Sequence, residues 1–363
     1  MDGLARGAPL MLRPVATFID DYRIWHKVTF RRGRILITRG DWEDLARPEL
    51  LEDPRRHFGD GRRVPDVRRE PERSTSSADV VRFSFPSACP LEGYPYTESD
   101  TAHGTLYRNR AAQTAPVVVL SHGWAHDDRR ALEMIFVEPL LQAGFSVALL
   151  SHPLHFERTP AGSWSGELMV TGDVRLTVAA FRQGVADLSG VVSWLRDEGM
   201  RVGLLGYSLG GYLAALLACV RDDLDAVVIG AAGDSVVSPI LDTRLGVNVR
   251  EDLSQSGMHE RERLERAWSS ISPGRLTPLV PRDRILMVAA VWDRIMLASS
   301  VRALHASWGQ PELRWEDQGH YTLLAVPGRL VRRSLPFLYA RLGEREGGRG
   351  PNRGPRGTSR KPS

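Results

Sequence analysis

Val202-Gly-Leu-Leu-Gly206-Tyr207-Ser208-Leu209-Gly210-Gly211 is the stretch on which the fold turns. Val202 to Leu205 is a short apolar run of the kind found in a strand buried on both faces. Tyr212 to Val220 is apolar throughout and free of Pro and Gly, and it reads as a helix. Strand, sharp turn and helix therefore follow one another within 19 residues, with Ser208 at the turn. Such a turn forces its central residue into a strained backbone and leaves no room for side chains two places before or after it, where Gly206 and Gly210 stand. The strain aims the Ser208 hydroxyl out of the sheet, and the N-terminus of the following helix favours negative charge developing beside it. Gly-x-Ser-x-Gly is common by chance, so this context carries the reading.

The same alternation runs outward in both directions. Val80 to Phe85 alternates apolar and polar residues, with Gly104 to Tyr107 as a candidate partner strand. Buried strands are expected at Pro116 to Leu120, Ser146 to Leu150, Ala226 to Ile229 and Ile285 to Val291, and a short one at Leu313 to Trp315. Helices are expected at Arg130 to Gln142, Val174 to Arg196, Ser299 to Trp308 and Leu330 to Leu342. This order predicts an α/β fold, a mostly parallel sheet with helices on both faces, whose ligand site lies at the carboxyl ends of the strands.

A serine hydroxyl becomes a nucleophile at neutral pH only beside a base. His320, in Asp317-Gln-Gly-His-Tyr321, follows the last short strand and is the expected base. Asp293, ending the run Ile285 to Trp292, is the expected acid that would hold the imidazole in one tautomer. Asp234 is the alternative acid, and Asp317 lies too close in sequence. Two backbone donors for an oxyanion are expected from Leu209 and from Trp124, in the loop Ser121-His-Gly-Trp124. His122 should brace that loop without moving a proton, and His126 should lie at the surface or the pocket rim. Tyr207, Trp292 and Tyr321 flank these positions and are candidate substrate contacts in an apolar, aromatic pocket.

The His-Gly-Trp124 loop, Gly206-Tyr-Ser-Leu-Gly-Gly211, Asp293 and Gly319-His320, in this order, resemble the α/β-hydrolase superfamily over residues 79–342. The likeness is to its esterase and dienelactone-hydrolase-like members. Arg39-Gly-Asp-Trp-Glu-Asp-Leu45, the Pro153 loop and the helix ending in Ser193-Trp-Leu195 are similar to a little-characterised group of α/β-hydrolase domain-containing proteins. The resemblance implies the α/β-hydrolase fold and hydrolysis of a small-molecule carboxylic ester through an acyl-enzyme. A peptidase, an acyltransferase or an inactive binding protein on the same fold is the alternative.

Residues 1–78 read as an N-terminal extension packed on the main domain. The interval from about 235 to 281 is too long for one crossover and reads as a cap, its charged run Met258 to Trp268 being helical. His152 to Gly172, with His155, Phe156, Trp164 and Met169, is a second candidate lining of the cleft. Residues 343–363, rich in Gly, Pro and Arg, read as a disordered basic tail. The formal net charge is +4, yet from Ala111 to Ala340 acidic residues outnumber basic ones by 25 to 22. The positive excess sits at the chain ends without a recognition motif, so no nucleic-acid partner is expected. Two cysteines and no metal-ligand spacing imply no disulfide framework, metal or cofactor. With no apolar run of spanning length and no signal peptide, a cytoplasmic protein is expected, contact with a membrane surface remaining open. Nothing in the sequence sets the oligomeric state.

Overall fold

The computed structural model describes residues 12–38, 40–59, 62–112, 114–325 and 328–343. The expected basic tail from residue 344 lies outside them. Nine strands form one sheet: β1 (Arg68–Ser74), β2 (Ala78–Pro86), β3 (Thr101–Asn109), β4 (Val117–Ser121), β5 (Ser146–Ser151), β6 (Val202–Tyr207), β7 (Ala226–Gly230), β8 (Ile285–Ala290) and β9 (Glu312–Glu316). Their spatial order is β1-β2-β3-β5-β4-β6-β7-β8-β9. The first three run antiparallel to their neighbours, and β5, β4 and β6 to β9 are mutually parallel.

Burial follows from this order. β4 and β6, side by side in the middle, are buried at every position, as their apolar runs require. β1, at the edge, is exposed along its whole length, and its Arg-Arg-Glu-Pro-Glu-Arg sequence protects a row of unpaired backbone groups from further pairing. β1 precedes the expected boundary at residue 78. The first 78 residues include a strand of the sheet, because the hairpin from β1 to β2 runs across that boundary.

Five helices matter for the site. α1 (Leu12–Phe30) opens the described chain, α2 (Val174–Asp197) precedes β6, and α3 (Leu209–Ala218) follows it. α4 (Ala298–Ser307) lies between β8 and β9, and α5 (Arg329–Leu342) closes the domain. Asp173 caps α2 by accepting from the N–H groups of Arg175 and Leu176. Gly203 and Gly206, three apart on β6, face opposite sides of the sheet. A side chain at Gly203 would meet Leu342 of α5, and one at Gly206 would meet Ala214 of α3. The two helices therefore pack on opposite faces.

Among the described residues no helix is long and apolar enough to cross a membrane. α1 was not foreseen, although Pro14 in its first turn is a helix-start signal and Ala16, Asp20, Ile24 and Val28 recur every four residues. That recurrent face is the one turned inward, with Ala16, Asp20 and Ile24 buried.

Candidate active site

The strands bring four loops together at their carboxyl ends. β4 and β6 are neighbours, so the Ser121-to-Trp124 loop stands beside Ser208. β8 and β9 are also neighbours, which brings Asp293 and the His320 loop together. The chain crosses over between β5 and β6, so the crevice opens where the strand order reverses.

Ser208 has φ 56° and ψ −118°, outside the region an L-residue adopts freely. Its N–H donates to the Gly230 carbonyl at 2.8 Å, and its own carbonyl accepts from Tyr212. A Cβ at Gly206 would lie 2.1 Å from the Gly210 carbonyl oxygen, and one at Gly210 would lie 1.9 Å from that of Ser121. Only glycine fits either place. The Ser208 Oγ lies 3.0 Å from His320 Nε2, whose Nδ1–H donates to Asp293 Oδ2 at 2.8 Å. The other Asp293 oxygen accepts from the N–H groups of Ile295 and Met296 at 2.8 and 2.7 Å. A carboxylate so held is fixed in position. Asp234, the alternative acid, instead accepts from the Ser300 hydroxyl.

Trp124 and Leu209 both line the cavity above Ser208. Leu209 begins α3, so its N–H has no acceptor within the helix. The Trp124 N–H has no protein acceptor among the described residues. Four histidines surround this loop. His122 donates from Nδ1 to the Gly123 carbonyl and accepts at Nε2 from the His152 N–H. His155 donates to the Pro153 carbonyl and accepts from Ala125 N–H. Burial, reinforced by His152, pushes His122 well below the ordinary imidazole range; burial holds His155 down to about 4. Both are neutral braces, and His126, on the cavity wall, is held down to about 3 by burial and the adjacent Lys27.

The cavity has a volume of about 600 Å³. Tyr207 and Tyr321 line it, and the Tyr207 hydroxyl donates to the His320 carbonyl at 2.7 Å. Trp292 does not: it is half-buried in the turn after β8, and its N–H donates to the Gln318 carbonyl. Of the expected cap, Val236, Pro239, Ile240 and Leu245 reach the cavity. The charged helix Arg261–Ala267 does not, because Arg263 and Arg266 lie against the ring of Trp42 instead. From 152–172 only Val170 lines the cavity; His155 and Met169 are buried beneath the loop, and Trp164 packs on Trp124.

The remaining wall comes from α1, through Ile19, Arg23, His26 and Lys27, and from Arg31 just after it. Asp20, fully buried, accepts from the N–H groups of His320 at 2.7 Å, Tyr321 at 2.9 Å and Arg294 at 3.3 Å. It thereby ties the base loop to the acid loop, although burial raises its pKa. Further along α1, Lys27 donates to the Trp124 carbonyl, and Arg31, just past the end of the helix, donates to the Ala125 carbonyl. One helix thus grips both the base loop and the oxyanion loop. Asp20→Asn removes one of two acceptor oxygens and turns an amide donor toward backbone donors. On enzyme counted by active-site titration, kcat should fall about 10- to 100-fold with KM little changed, as a slight misplacement of the base predicts. A KM that rises in step with the loss of kcat would assign Asp20 to binding.

The fold defines a class: the chain has the α/β-hydrolase fold. Residues 62–242 match the family model Alpha/beta hydrolase domain containing 18. The uncharacterized protein Rv2627c of Mycobacterium tuberculosis is 30% identical over 231 residues, 62% of this chain and 54% of the relative. The chain therefore spans about half the length of that relative. Among solved structures, the acetyl xylan esterase from Paenibacillus sp. R4 is similar with a TM-score of 0.54 at 15% identity, over 80% of this chain and 92% of that one. The acylaminoacyl peptidase of Pyrococcus horikoshii gives 0.52 at 16% identity, over 75% of this chain and 43% of that one. At such identities these two likenesses speak for the fold alone.

Proposed function

We propose that the chain is a serine hydrolase that cleaves a carboxylic ester through an acyl-enzyme on Ser208. The observation that carries this reading is the continuous relay from Asp293 through His320 to Ser208, ending at a cavity large enough for a small ester. Ser208 Oγ attacks the carbonyl carbon while its proton passes to His320 Nε2. The resulting imidazolium is stabilised by Asp293, and the oxyanion by the N–H groups of Trp124 and Leu209. Collapse of the tetrahedral intermediate breaks the bond to the alcohol, which leaves with the proton from Nε2. Water then repeats the sequence on the acyl-enzyme, releasing the acid and restoring Ser208.

The apolar wall formed by Ile135, Phe181, Ile240, Met296 and Leu324 suits an uncharged acyl group. A fluorophosphonate probe tests the nucleophile. The wild-type chain should label and Ser208→Ala should not; equal labelling of both, or none of either, would sink the assignment. A screen over ester chain lengths, with amide and thioester controls, would then rank the scissile bond.

A further inference from the structure

α1 places on the cavity wall two cations, half-buried Lys27 and exposed Arg23, that form no ion pair among the described residues. Lys27 is half-buried, and its ammonium lies 5.7 Å from the Trp124 ring and 5.6 Å from that of Tyr321. One of its three N–H donors is spent on the Trp124 carbonyl. The Arg23 guanidinium lies 5.2 Å from the Tyr321 ring centroid. Neither forms an ion pair among the described residues. The carboxylates nearby are already engaged: Asp127 by Arg31, and Asp128 as the cap that accepts from the Arg130 N–H.

An ammonium drawn out of water without a counter-ion is unfavourable, and an anion entering the cavity would relieve it. The deep wall of the cavity is apolar, so the anion belongs at the α1 side. Lys27 is bonded to the carbonyl of Trp124, whose own N–H is the oxyanion donor proposed above. The negative group must therefore sit close to the scissile bond.

We propose that Lys27 and Arg23 form a recognition site for an anionic group, carboxylate or phosphate, carried on the substrate near the ester that Ser208 attacks. This deepens the hydrolase reading and rests on it. Lys27 and Arg23 are then specificity-determining residues, selecting esters that pair an apolar acyl chain with a charged alcohol portion.

Four esters of butanoic acid test it with the full chain. The ester of glycolic acid carries a carboxylate and that of glycolamide is its neutral match. The monoester of 2-hydroxyethyl phosphate carries a phosphate and that of ethylene glycol is neutral. The quantity read is the ratio of kcat/KM, anionic over neutral, within each pair, which cancels any loss of folded enzyme. The wild-type ratio should reach about 10 to 100 in one or both pairs, as a charge-assisted hydrogen bond implies, and the larger ratio identifies the anion. It should collapse toward unity in Lys27→Met, survive in Lys27→Arg and fall partway in Arg23→Gln.

The ratio should also depend on pH. Burial, then Arg31 and Arg23, hold the Lys27 ammonium down to about 7, opposed by Asp127. Of the other groups facing it, His126 and His155 are neutral above about 4, and burial raises Tyr321 so that it stays neutral as well. Lys27 is charged below its pKa, so the preference should be greatest below about pH 7 and decline above it.

A wild-type ratio of one or less in both pairs, or a ratio unchanged in Lys27→Met, overturns the anion site while leaving the hydrolase standing. If no ester is turned over and the phosphonate does not label, the hydrolase reading falls, and this inference with it.

Discussion

Ser208→Ala and His320→Ala are each expected to lower kcat by about 10⁴- to 10⁶-fold, and the double variant should be scarcely worse than either. The two side chains act as one unit: without the Nε2 acceptor at 3.0 Å the hydroxyl keeps its proton, and without the hydroxyl the base has nothing to activate. What residual rate survives belongs to the cavity and the two backbone donors. Both residues are buried, but neither supports the packing of a core element, so unfolding midpoints should move little. Asp293→Asn should cost less, up to about 10⁴-fold, because the amide still fills the site but no longer stabilises the imidazolium. Asp234→Asn should be nearly silent, since that carboxylate is spent on Ser300. Steady-state kinetics with circular dichroism on the five variants checks all of this. A severe Asp234→Asn beside a silent Asp293→Asn would move the acid to the earlier strand.

The second large effect concerns stability. Arg158 and Asp187 are fully buried and lie 2.8 Å apart, joining the segment after β5 to α2. Arg158 also donates to the carbonyls of Ser151 and Ser99, and Asp187 accepts from the Ser87 hydroxyl. Burial raises the Asp187 pKa even though Arg158 opposes it, so the carboxylate depends on its partner for its charge. Arg158→Met should lower the unfolding free energy by about 3–5 kcal/mol, because it leaves a buried carboxylate without its counter-charge and takes a donor from the Ser151 and Ser99 carbonyls, the latter keeping Gln183. Replacing both partners, as in Arg158→Met with Asp187→Leu, should recover much of that loss. Urea titration reads it: a lower midpoint in the single variant, partly restored in the double. A single variant within about 1 kcal/mol of wild type would show that water or protonation takes over the role of Arg158. Because His152 and His155 on this segment brace the oxyanion loop, activity should fall in the single variant before global unfolding.

The helices and strands around Ser208 were readable because each answers to a local rule. Runs of Val, Ile and Leu mark β4, β5, β6 and β8, and Asp173 and Gly144 mark the ends of helices. The meeting of the three side chains was readable because the sheet converts chain order into position: Asp293 after β8 and His320 after β9 arrive beside Ser208 after β6. Trp292 lies off the cavity because it stands in a turn beyond the end of β8, where no periodic pattern fixes the direction of a side chain.

The amino-acid sequence by itself determined the layered α/β architecture and the order in which Ser208, Asp293 and His320 meet, because both follow from periodicity and strand succession. Only the tertiary structure decided what closes the cavity. Asp20 and Lys27 lie some 300 and 100 residues from the His320 and Trp124 they bond, and no local pattern records such a contact. The expected cap supplies part of the wall, while a helix from the opposite end of the chain supplies its charge. That is a consequence of packing one amphipathic face against two loops at once, and it is decided by the surface those loops present after the sheet has formed.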